Sequence, residues 1–168
     1  MNNIQLIKNK LRETFGDVPF PYHCGMNAAI AKDDWISDPE ELKNITRSKD
    51  VKGKWWEIPA DEFILCSLAS CYFDANATEF YLPAYMNIVI EDTTYKNYNT
   101  LISWLTPGEN NSEYDFYDHF QSKFTNISGS KRIMCREVLE YVRSHLEPND
   151  TYSGKKIDQI LAHEFWNK

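Results

Sequence analysis

The chain has 168 residues, enough for one domain with a real core and no need of metal or disulfide staples. Its 25 acidic residues outnumber its 18 bases, giving a formal charge of −7, which argues against free nucleic acid as a partner and points to a basic protein surface instead. No stretch reaches the roughly 18–20 apolar residues of a membrane span, and residues 1–16 lack a secretory apolar core, so a cytoplasmic protein is expected.

Ile4, Ile7, Leu11 and Phe15 recur at helical spacing, and Gly16 is placed to end that helix. Pro19 and Pro21 then hold an extended loop in which Phe20 and Tyr22 are anchors. Two helical turns are expected over 26–32. A firmer start follows at Ser37-Asp38-Pro39-Glu40-Glu41, where a capping side chain, a first-turn proline and acidic residues coincide. Of the adjacent Trp55 and Trp56, one indole should pack while the other lies partly exposed, because neighbours cannot both face inward.

The chain is organised around residues 61–92, where apolar residues crowd both faces of any regular element. A helix over 61–72 and a second from Ala75 to Asp92, capped by Asp74, form the expected central pair. Pro83 predicts a kink or break near Leu82, and Ile88-Val89-Ile90 leaves a short strand open as an alternative. Residues 95–98 read as a polar turn before a short apolar element ending at Pro107-Gly108. Phe116, Tyr117, Phe120 and Phe124 make an aromatic helical stripe. Ser128 or Ser130 is a candidate cap for the helix carrying Met134, Cys135, Val138, Leu139, Val142 and Leu146. Ser153-Gly154 leads into a final helix with Ile157, Ile160, Leu161 and Phe165. The fold class is mainly α: a compact helical bundle, with residues 1–168 as a single domain.

Four features occur in order: Asp17-Val18-Pro19-Phe20-Pro21, Trp55-Trp56, Phe80-Tyr81-Leu82-Pro83-Ala84-Tyr85-Met86, and the helix from Cys135 to Tyr141 with the terminal Phe165-Trp166. Together they make the chain resemble a small bacterial family known as domain of unknown function 6714. That resemblance implies a compact bacterial domain and brings no catalytic residues. In general character the chain also resembles immunity proteins, small acidic proteins that neutralise secreted toxins.

Cys24, Cys66, Cys71 and Cys135 lack the paired spacing that holds zinc, and no metal or cofactor is expected. His23-Cys24 is the best catalytic candidate, since an imidazolium can lower a neighbouring thiol's pKa, and Asp115 and His119 share a helix face. A packing or surface role for these groups is the expectation, and no catalytic residue is assigned. One charge feature suggests binding. Glu91, Asp92, Glu109, Glu113, Asp115 and Asp118 meet a single base, Lys96, and are interleaved with Tyr95, Tyr98, Tyr114 and Tyr117. Carboxylates steer and tyrosines supply contact area, so these ten residues are the expected surface for a basic partner. The most concrete partner is a cognate toxin domain such as a nuclease. The alternatives are an enzyme using His23 and Cys24, and a homo-oligomeric structural protein.

Overall fold

A computed structural model describes residues 3–65, 68–108 and 116–167, together with all their side chains except those of Leu65 and Tyr95. The described residues contain helices and no strand. In chain order these are α1 (Asn3–Phe15), α2 (Met26–Asp33), α3 (Pro39–Lys49), α4 (Ala60–Leu65), α5 (Ala69–Tyr72), α6 (Ala75–Glu91), α7 (Tyr95–Leu105), α8 (Phe116–Lys123), α9 (Ser130–Ser144) and α10 (Thr151–Ala162). Single 3-10 turns, Trp55–Glu57 and Glu164–Asn167, complete the set.

α6 is the axis. Asp74 caps it by accepting from the Ala77 amide at 2.9 Å, and every residue from Phe80 to Met86 is buried. Such a helix, apolar all round, must be enclosed, and α1, α7, α8 and α9 pack around it. Ile88, Val89 and Ile90 continue the helix and form no strand. Pro83 does not break it either: the helix runs through to Glu91. An internal proline costs about 3 kcal/mol, a penalty the burial of several large neighbours exceeds at roughly 1.5–3 kcal/mol each.

The surrounding helices start and stop for local reasons. Gly16, at φ 57°, ends α1 with its amide on the Arg12 carbonyl at 2.8 Å. Asp38 and Asp150 cap α3 and α10 through the Glu41 and Ser153 amides. Residues 95–98, read as a turn, form the first turn of α7. Tyr98 is drawn into the core there, and that burial outweighs the polar composition. Neither Ser128 nor Ser130 supplies a side-chain cap to α9; Gly129, at φ 51°, occupies that position. α10 begins at Thr151, so Ser153 and Gly154 lie inside it.

Residues 60–72 are less central than their composition suggests. Ile64 and Leu68 are more than half exposed, and Cys71 is exposed. Cys66 lies outside the described residues. Trp55 is buried and donates to the Gly16 carbonyl at 2.9 Å, while Trp56 is half-buried under the Arg12 guanidinium. The C-terminal turn closes the core: Phe165 and Trp166 pack on Phe120 and Phe124, and the Trp166 indole donates to the Leu105 carbonyl at 3.0 Å. α2 packs on α5 and puts Met26 and Ala29 into the main core, while a second, small cluster, Ala28, Ala31 and Leu42 with Ile36 and Ile45, joins it to α3.

Candidate protein-binding surface

The acidic and tyrosine-rich interval from Glu91 to Asp118 is only partly a surface. Glu91 ends α6 and pairs with Lys8. Asp92 caps α6 and accepts from the Asn97 amide at 3.0 Å, so it shapes the turn into α7. Both are exposed, as is Asp118 in the first turn of α8. Tyr98 is 4 % exposed, with its hydroxyl 2.5 Å from the Asp150 carboxylate, and Tyr117 is 9 % exposed against the His163 ring. Those two rings belong to the interior and correct the expectation that they line a docking face. α7 and α8 turn their apolar faces inward, and both tyrosines fall on them. Tyr95 begins α7, and Glu109, Glu113, Tyr114 and Asp115 lie outside the described residues.

His23 and Cys24 do not meet as base and nucleophile. The His23 ring faces the Asp74 carboxylate at 2.7 Å, in a half-exposed pair at the start of α6. Cys24 is buried, and its sulfur accepts from the Lys32 ammonium at 3.0 Å. Burial pushes the thiol's pKa up, against the opposing pull of Lys32. Asp115, the other half of the second candidate pair, lies outside the described residues, and the His119 ring sits 3.3 Å from the Cys71 carbonyl.

The strongest surface feature lies at the tip between α2 and α3. Trp35 is 93 % exposed and has φ 65°, the left-handed region. Its amide bonds to the Lys32 carbonyl at 3.1 Å, and the Ile36 amide reaches back to Ala31 at 3.0 Å. Those two bonds make a Schellman helix end, with Trp35 at the position glycine ordinarily takes. Ile36 supplies the usual apolar contact against Ala31 and Leu42. The backbone is thereby fixed while the indole points away from the fold.

Five acids lie within six positions of Trp35 in the chain, Asp33, Asp34, Asp38, Glu40 and Glu41, all exposed, with Glu40 paired to Lys43 at 2.5 Å. No base interrupts residues 33–41, a local charge of −5 within nine positions. Lys32 is turned inward, bonding to Cys24 and to the Tyr72 carbonyl at 3.2 Å. Asp33 accepts from the Tyr72 hydroxyl, which ties the tip to α5, and Asp50 holds the far end of α3 by accepting from the Asn27 amide at 2.8 Å.

Sequence reasoning accounts for Asp38, Glu40 and Glu41 as a helix start and leaves Trp35 unread. The signal was present: a large aromatic between two helical stretches, where the turn calls for glycine. Only the geometry shows that the ring has no core to enter.

No curated protein and no solved structure matches the chain. The model of a family of unknown function, DUF6714, matches residues 3–168. The chain belongs to that family.

Proposed function

We propose that this is a non-enzymatic binding protein that docks on a basic protein partner, as an immunity protein does on a cognate toxin, with a basic nuclease domain as the most concrete partner. The observation that carries this reading is Trp35, held outward by a left-handed backbone within an acidic stretch of the chain. A left-handed conformation costs a non-glycine residue about 1–2 kcal/mol, and an indole left in water returns nothing to the fold. Tryptophan is the residue type most enriched among interface hot spots, and carboxylates around an aromatic anchor steer a cationic partner and reject anionic ones. The same acidic stretch disfavours pairing of this face with a second copy of itself. The net charge of −7 adds long-range steering toward a cationic partner.

The test is to mix the purified protein with the product of the adjacent reading frame. The reading predicts a one-to-one complex that weakens with added salt and is lost in Trp35→Gly. A basic neighbour that binds equally well to the variant places the interface elsewhere, and a neighbour that neither binds nor carries basic surface overturns the immunity reading.

A further inference from the structure

A second candidate site shares no residue with the Trp35 tip. A cavity of about 840 Å³ opens between α5, α7, α8 and α10, within the range of roughly 300–1,000 Å³ typical of small-molecule sites. Trp104 and Phe120 form its wall, and Leu68 and Tyr152, each more than half exposed, form an apolar rim. Apolar side chains left in water around a cleft of this size are what a ligand with an apolar body covers.

Among the described residues, the ionised side chains that line this cavity are Lys123 and Lys156, joined by the His119 imidazole, in a chain of net charge −7. Lys123 is half-buried on α8, and its ammonium donates to the Ser70 carbonyl at 2.6 Å. A carbonyl offers a dipole and not a counter-charge, so the ammonium is desolvated without being neutralised. Burial holds its pKa below the usual lysine value.

We propose that this cavity binds a small organic anion, a carboxylate or phosphate group seated on Lys123 and Lys156 with an aromatic or aliphatic body against Trp104 and Phe120. Anionic oxygens would complete the hydrogen bonding of Lys123, and the low-dielectric wall strengthens that pairing. An anion favours the charged form of Lys123, so binding weakens at alkaline pH, where the free side chain loses its proton.

Phenyl phosphate, benzoate, benzyl alcohol and benzylamine, titrated separately into the full chain and followed by proton–nitrogen NMR, distinguish the possibilities. The expected result is saturable shifts of the Trp104 indole and of the Ile102 and Phe120 amides with the two anions. Benzyl alcohol should bind about tenfold more weakly, as loss of a charged hydrogen bond implies, and benzylamine not at all. The relative strength of phosphate and carboxylate identifies which headgroup the site prefers. Lys123→Gln should weaken both anions by a similar factor, and the half-exposed Lys156→Gln serves as a second variant if the first fails to fold. Equal binding of alcohol and anions, anion shifts confined to other parts of the chain, or no saturation by either anion overturns the proposal.

Discussion

Replacing Trp35 by glycine should stabilise the fold, although it deletes the largest natural side chain. The left-handed backbone costs a non-glycine residue about 1–2 kcal/mol, which the substitution removes. Against this stands the greater freedom of glycine in the unfolded chain, about 0.4–1 kcal/mol. At 93 % exposure the indole buries too little surface to shift the balance. The net expectation is a gain of about 0.5–1 kcal/mol, or a rise in Tm of roughly 1–4 °C for a chain of this length. Trp35→Ala keeps the strained backbone and should fall within about 0.5 kcal/mol of the parent. The contrast is Trp166, 2 % exposed and bonded to Leu105, whose replacement by alanine should cost about 3–5 kcal/mol. Urea unfolding followed by far-ultraviolet circular dichroism is the suitable assay, because it does not depend on the fluorophore being removed. A loss of more than about 1 kcal/mol in Trp35→Gly would refute the reasoning, since it would mean that the indole packs on the fold.

Other substitutions test the junction of α2 with α3 and the charges around it. A Cβ added at Gly25 would lie 1.9 Å from the Asp50 Oδ2 and 2.9 Å from the Thr46 Cγ2, so Gly25→Ala should lower stability by about 1–3 kcal/mol, measured by urea unfolding. The Gly25→Ala, Asp50→Ala double variant should lose less than the sum of the two singles, because the second change removes the clashing atom. Burial raises the pKa of Asp50 above the usual 3.8, so the folded state binds its proton more tightly than the unfolded chain does. Its contribution therefore falls as pH rises from 3.8 through the raised value, and Asp50→Asn should lack that decline in a stability–pH profile. Asp150 has the opposite sign. Hydrogen bonds from Tyr98 and Ser153 lower its pKa, giving stability that is present above 3.8 and lost as pH falls through the lowered value. Tyr98→Phe should flatten that acid loss.

Periodicity made most of the helices legible, because each buries one face and that face must recur at helical spacing. The helices carrying Leu11 and Phe15, Met134 to Val142, and Ile157 and Ile160 follow this rule closely. The buried axis around Pro83 was legible for another reason: it is apolar all round, and that density of apolar residues outweighed a residue that ordinarily ends helices. What failed was inference from local polarity: Tyr98 sits in a polar stretch and is interior, while Ile64 and Leu68 sit in an apolar stretch and are exposed. Which face meets the core depends on tertiary placement, and composition carries no record of it.

The candidate surface was legible in kind and not in place. The proposed face again combines acids with an aromatic, but at other residues: Tyr98 and Tyr117 turn inward, and Trp35 is the ring exposed at the tip. A helix end in the left-handed region is set by two backbone hydrogen bonds, and no side-chain pattern announces it. The cavity was equally hidden, since Ser70, Trp104, Lys123 and Lys156 come from four helices that only the fold brings together.

The central claim is that Trp35 and the acids around it are kept for a cationic protein. Its most direct test is the affinity of the parent and of Trp35→Gly for the product of the adjacent reading frame, measured calorimetrically at low and high salt. The account predicts a parent complex that weakens as salt rises, and a variant that folds more stably and binds at least about thirtyfold less well, the loss of a hot spot of ~2 kcal/mol. Undiminished binding by the variant, or affinity indifferent to salt, would contradict it.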